Sequence, residues 1–250
     1  MIAIDVGNTK TSIGLFDGAR LAGSWRIATS RHRLKDEYLM ILRQLLPKDA
    51  QAPSTRMVVA SVVPTASREL AKLSDSFDLR MVTHETPKSF EVAIRHPQTL
   101  GADRIADSEA AMRLYGTPSI VVTAGTATTV GAIDSRARFV GGSIAPGLGI
   151  STEALFRAAA ALSQIKIEIP SSVIGTDTET AIQSGIALGH SYMIQGLVEG
   201  FKRALPNEKD WKVIVTGGAM DVLAPSLPKD YVFDPNLTLQ GLRLLGETRG

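Results

Sequence analysis

The stretch Ile2-Ala3-Ile4-Asp5-Val6-Gly7-Asn8-Thr9-Lys10-Thr11 has a second version in the same chain, Ile120-Val121-Val122-Thr123-Ala124-Gly125-Thr126-Ala127-Thr128-Thr129. Each copy is an apolar strand, a polar residue, a glycine turn and a hydroxyl-rich return strand. Ile2 and Ile120, Gly7 and Gly125, and Thr11 and Thr129 are each 118 positions apart. A glycine turn at the end of a buried strand lets backbone N–H groups approach an anion closely. Two of them suit a nucleotide phosphate held between two similar domains. One position breaks the symmetry: Asp5 of the first copy is Thr123 in the second.

Outward from the first turn, residues 2–6, 11–16 and 20–27 read as three strands, with Asp17-Gly18 as a hairpin signal. Apolar spacing predicts a helix from Lys35 to Leu46, ended by Pro47. Met57 to Val63 is a β-branched run suited to a strand buried on both faces. A helix from Pro64 to Leu73 and a short strand at 79–82 follow. Residues 84–100 are irregular and lead to Gly101-Ala102-Asp103-Arg104, with a helix predicted over Ile105 to Leu114.

The second half repeats the order, with strands near 119–123, 128–133 and 138–142 and a helix from Thr152 to Leu162. A long helix is expected over Thr178 to Leu205. Its glycines at 185, 189, 196 and 200 cost about 1 kcal/mol each relative to alanine, which implies close helix packing. A buried strand from Trp211 to Thr216, a short helix, a strand at 231–233 and a helix from Leu237 complete the chain. The expectation is an α/β protein of two ribonuclease-H-like domains, residues 1–115 and 116–250. Each would have a mixed sheet flanked by helices, with a cleft between the two.

Composition narrows the function classes. At 250 residues the chain accommodates one large domain or two ordinary ones, and a hydrophobic share of 44% supplies their cores. A net charge of +2 with both signs interspersed leaves no footprint for nucleic acid. Arg26, Arg31, Arg33 and Lys35 form a locally basic block that reads as a solvated strand-to-helix connection. Without cysteine there are no disulfides or thiolate metal sites. His32, His84, His96 and His190 show no ligand spacing. No signal peptide and no membrane-crossing apolar run is evident, so the expected location is the cytoplasm.

The chemistry concentrates in a few stretches. In Asp5-Val6-Gly7-Asn8-Thr9, Asn8 and Thr9 add donors beside exposed N–H groups. Asp5, at a strand end, can hold magnesium directly or through water; the bland alternative is a glycine hairpin with a polar turn. Neither a Walker loop nor a Rossmann fingerprint is present. In the second turn, Thr126 and Thr128 are placed to meet phosphate oxygens, unless they are ordinary strand threonines. Gly101 to Arg104 offers Asp103 as a general base or simply a helix cap, and Arg104 as a fork for a carboxylate. The glycine-rich Gly141 to Gly149, the Ile174-Gly175-Thr176-Asp177-Thr178 loop and Thr216-Gly217-Gly218 are each weak signals alone.

Their order resembles the type III pantothenate kinases, of the acetate and sugar kinase/Hsp70/actin superfamily. Six elements match in sequence order: residues 5–9, 101–104, 125–129, 141–147, 174–178 and 216–218. The resemblance implies ATP-dependent phosphorylation of the primary hydroxyl of pantothenate, the first step of coenzyme A synthesis. It implies that Asp5, Val6, Gly7, Asn8, Thr9, Lys10, Thr11, Ser12 and Thr126 bind ATP, with Asp5 on the Mg2+ side. Asp103 would be the base; Gly101, Ala102, Asp103, Arg104 and Thr178 would contact pantothenate. A homodimer and a monovalent cation, K+ or NH4+, are also implied. The family's cation aspartate falls on Thr123, and a tyrosine of its pantothenate pocket falls on Ile94. Those two departures keep two alternatives open: a nucleotide-binding regulatory relative, and a kinase for another hydroxy acid.

Overall fold

The computed structural model describes residues 1–248 apart from 160, 161 and 163. In chain order its main elements begin with β1 (Ile2–Val6), β2 (Lys10–Asp17), β3 (Arg20–Ala28), α1 (Lys35–Leu45), β4 (Arg56–Ser61), α2 (Pro64–Ala71) and β5 (Asp78–Met81). Then come β6 (Glu91–Val92), α3 (Ala102–Tyr115), β7 (Ser119–Ala124), β8 (Ala127–Ile133), β9 (Arg138–Pro146) and α4 (Leu148–Ala158). The chain ends with α5 (Thr178–Gln183), α6 (Gly189–Ala204), β10 (Lys212–Thr216), α7 (Met220–Leu223), β11 (Val232–Phe233) and α8 (Leu237–Glu247). Two compact units result: Met1–Leu114 together with Asn236–Gly250, and Tyr115–Pro235.

In the first unit the strand order is β3-β2-β1-β4-β5. The first three strands are antiparallel, and β4 and β5 run parallel to β1. Alternation along β1 sends Ile2, Ile4 and Val6 to one face, where they join Ile13, Met57 and Val59 under Tyr38 and Leu42 of α1 and Leu70 of α2. The other face carries Ala3 and Asp5. Helix α8 packs on this unit, because its leucines Leu237, Leu242 and Leu245 are fully buried and need a sheet to cover them. Gly241 permits that approach: a Cβ there would collide with the carbonyl of Ala106 on α3. Arg56 and Arg80 then cap the last turn of α8, donating to the carbonyls of Gly246 and Leu245 at 2.8 Å each.

The second unit repeats the plan: five strands of its six-stranded sheet, β9-β8-β7-β10-β11, match β3-β2-β1-β4-β5 in order. Again the first three strands are antiparallel and the last two parallel. Ile120, Val122 and Val130 form the core with Leu148 of α4, Ile194 and Val198 of α6 and Leu223 of α7.

Several boundaries differ from expectation. Helix α3 starts at Ala102, so the Gly-Ala-Asp-Arg stretch is itself the first turn, opened by the Ile105 N–H bond to the Gly101 carbonyl at 3.0 Å. Helix α4 begins at Leu148 and ends at Ala158; residues 160 and 161 of the expected Thr152–Leu162 helix lie outside the described residues. The long helix is α5, a π-helical segment at Ser184–Leu188, and α6. Its glycines do not mark close packing, since a Cβ at Gly185, Gly196 or Gly200 would meet nothing within 4 Å.

Candidate active site

The first glycine turn closes with the Gly7 N–H donating to the Lys10 carbonyl at 3.0 Å. Thr29 of the segment after β3 holds it from behind: its hydroxyl donates to the Gly7 carbonyl at 2.8 Å and lies 2.9 Å from the Thr11 hydroxyl. Thr11 is fully buried, so its side chain supports the turn and leaves Asn8, Thr9 and Lys10 exposed. Asp5 and Ser12 are register partners on the face away from the α1–α2 core.

Asp5 Oδ1 is enclosed and has no hydrogen-bond partner. Burial first, then the neighbouring Asp103 and Asp107 carboxylates, push its pKa well above the ordinary carboxylate value. Asp103 sits in the first turn of α3, accepting the Arg104 N–H at 2.8 Å. Burial raises its pKa too, opposed by that N–H and by the Arg104 charge. Burial also lowers the Arg104 pKa, while Asp103 and Asp107 raise it. Asp107, one turn further on, accepts the Thr238 hydroxyl of α8 at 2.6 Å. The unpartnered Asp5 oxygen is therefore within electrostatic reach of the Asp103 and Asp107 carboxylates, which in turn act on the Arg104 guanidinium, all within the first unit.

A cation suits this donor set. Mg2+ takes one or two carboxylates and leaves its other positions to water and phosphate, and an enclosed, unpartnered Asp5 oxygen meets that need. The monovalent-cation position that the family resemblance implies falls on Thr123. Thr123 and Thr129 are register partners, and neither residue is itself a carboxylate. Among the described residues no group of three His, Asp or Glu side chains is placed to hold a metal ion.

The second turn is tighter than the first, with Gly125 N–H donating to the Ala127 carbonyl at 3.1 Å. Thr11 faces Val6, whereas Thr128 faces Ala124, so the constant spacing of the sequence slips by one residue on the return strand. Thr128 therefore points inward, corrected from a phosphate-facing position: it is 1% exposed, and its hydroxyl lies 2.8 Å from Nε2 of His190 on α6. Thr126 stays exposed at the tip.

Two further glycine stretches converge on that tip. A Cβ at Gly147 would strike the Gly125 and Thr126 carbonyls, and its N–H donates to the Thr126 carbonyl at 3.0 Å. Gly217 has φ +101°, and a Cβ there would lie 2.5 Å from the Ala124 carbonyl oxygen. Thr178 is exposed at the start of α5, where Asp177 is the cap, its carboxylate accepting the Thr180 N–H at 2.8 Å. Ile94 is half-buried in the loop after β6.

The family model for type III pantothenate kinase matches residues 1–200. The chain belongs to the type III pantothenate kinase family. A type III pantothenate kinase of Roseiflexus castenholzii is 41% identical over 252 residues, covering 99% of this chain and 98% of the relative. One from Brevibacillus brevis is 37% identical over 254 residues, with the same coverage. Among solved structures, a Baf family transcriptional activator from Campylobacter jejuni superposes with TM-score 0.65 at 17% identity, covering 98% of this chain and 96% of that one. That likeness shows the fold, the actin-like ATPase fold. The activity is accordingly ATP-dependent phosphorylation of pantothenate, the entry step of coenzyme A biosynthesis.

Asp107 escaped the sequence reading, although its i+4 spacing from Asp103 puts both on one helix face. His190 also escaped it, because a single histidine inside a helix carries no spacing signal.

Proposed function

We infer that the first unit carries the reacting centre of this pantothenate kinase. Asp5, Val6, Gly7, Asn8, Thr9, Lys10, Thr11 and Ser12, together with Thr126, hold ATP. Thr11 contributes through its backbone, since its hydroxyl is engaged with Thr29. Gly101, Ala102, Asp103, Arg104 and Thr178 hold pantothenate, with Arg104 as the fork for its carboxylate. Asp103 takes the proton of the primary hydroxyl as that oxygen bonds to the γ-phosphorus and the bond to the ADP oxygen breaks. A base whose pKa is raised by burial is better matched to that transfer near neutral pH than an ordinary carboxylate. Mg2+, held on the Asp5 side, supplies neutralisation of phosphate charge.

The unpartnered Asp5 oxygen beside Asp103 and Asp107 is the observation that carries this reading. Thr123 in place of a carboxylate argues for turnover without K+ or NH4+. Exposed Ile144, Ile150, Val173, Ile174 and Tyr192 in the second unit support a homodimer, and membership of a coenzyme A pathway family supports a cytoplasmic location. A coupled ADP-release assay with pantothenate tests the reading: turnover that disappears in Asp103→Asn supports it. Undiminished turnover in that variant removes Asp103 from the role of base.

A further inference from the structure

Strand β3 presents a guanidinium to the same sheet face as Asp5. The cross-strand register pairs Asp5 with Ser12 and Ser12 with Arg26, so the three side chains form one row across β1, β2 and β3. Register partners in a sheet project from the same face. The neighbours of Arg26 on its own strand, Trp25 and Ile27, pack into the α1–α2 core on the opposite face and hold the strand in this orientation. Two inter-strand spacings, about 10 Å, separate the Asp5 and Arg26 backbones. A long arginine side chain covers much of that gap.

Arg26 is exposed, and among the described residues it has no ion pair, hydrogen bond or ring contact. Other arginines of the unit are engaged: Arg20 with Asp17, Arg56 with Asp78, and Arg80 with carbonyls of the α8 end. Lys10 stands on the same side one step nearer the turn, since it pairs with Ala28, two residues along from Arg26. The face thus runs from the carboxylate of Asp5, through the hydroxyl of Ser12, to two cationic groups. Carboxylate for a metal, hydroxyl and guanidinium for phosphate oxygens is the donor order that a polyphosphate with its metal requires.

We propose that Arg26 is a phosphate-binding residue of the nucleotide site, gripping the polyphosphate of ATP from the strand beside the first glycine turn. The proposal rests on the reading that Asp5 marks the phosphate side. The competing role is a charge that merely blunts an edge strand, since β3 ends its sheet. Arg20 serves as the control. It lies on the same strand about 20 Å away by strand rise, far from the row.

The test compares Arg26→Ala, Arg26→Lys and Arg20→Ala in full-length protein by calorimetric titration with ATP and with AMP, alongside kinase kinetics and thermal unfolding. Arg26→Ala should weaken ATP binding about tenfold or more and raise the KM for ATP, leaving AMP affinity and the unfolding temperature in place. Arg26→Lys should recover part of the loss, and Arg20→Ala should match wild type. If wild type binds ATP and Arg26→Ala binds it equally well, the proposal is overturned and the kinase reading stands. Equal losses for ATP and AMP overturn it too, because the residue would then act on the fold or the nucleoside. A Thr126→Ala variant with unchanged ATP affinity would count against the site reading itself, whatever the outcome at Arg26.

Discussion

The Thr128 hydroxyl lies 2.8 Å from Nε2 of His190, both side chains buried, so helix α6 holds the second glycine hairpin from the core side. Thr29 does the same for the first hairpin through Thr11 and the Gly7 carbonyl. Two glycine turns are thus stiffened from behind by different chemistry, and only one of the two devices titrates.

Replacing His190 with phenylalanine leaves the Thr128 hydroxyl buried and unpaired, which costs about 1–3 kcal/mol of stability. The double variant with Thr128→Val should cost less than the sum of the singles, as partners in one contact do. Chemical denaturation of the four proteins measures the coupling.

Burial lowers the His190 pKa from its ordinary 6.5. The unfolded chain therefore binds the proton first as pH falls, so this contribution is full above 6.5 and is lost as pH drops toward the folded-state value. Stability should decline on acidification through that window in wild type, with a shallower slope in His190→Phe. Denaturation midpoints across mildly acidic pH give the comparison.

Asp5 behaves in the opposite sense. Its folded pKa is raised, above all by burial, so the folded state binds more protons than the unfolded one once pH exceeds 3.8. Asp5 therefore makes the unliganded protein less stable as pH rises above 3.8. Asp5→Asn should raise the melting temperature without ligand, while turnover falls at least about tenfold from loss of a charged ligand contact. A variant that is both less stable and fully active would contradict this account.

Potassium supplies the fourth prediction. Thr123 stands where the family resemblance implies a cation-binding carboxylate, so turnover should be the same in sodium, potassium or ammonium salts. Thr123→Asp should introduce a cation dependence. Initial rates across a matched salt series read this directly.

Much of the architecture was legible because it follows from short-range rules. The alternation of Ile2, Ile4 and Val6 against Ala3 and Asp5, and two glycine turns at a fixed spacing, specify a repeated three-stranded unit. The inward turn of Thr128 was also within reach, since it shares parity with the core residues Val130 and Ala132. The destination of α8 was not, because a leucine-rich helix can cover either of two similar sheets. Its placement depends on Gly241 fitting against Ala106, a contact between residues far apart in the chain. Arg26 read as part of a solvated basic block for a similar reason. Only the β1–β2–β3 register sets it in line with Asp5, and register is a property of paired strands rather than of one segment.

In the proposed reaction Asp103 removes the proton of the pantothenate hydroxyl while the Asp5 face holds ATP. Single-turnover formation of 4′-phosphopantothenate by Asp103→Asn, with ATP affinity measured on the same preparation, tests it most directly. Product formation should slow about 10²- to 10⁴-fold with ATP affinity unchanged, and the wild-type rate should fall as pH drops through the raised Asp103 pKa. Product formed at the wild-type rate by Asp103→Asn would contradict it.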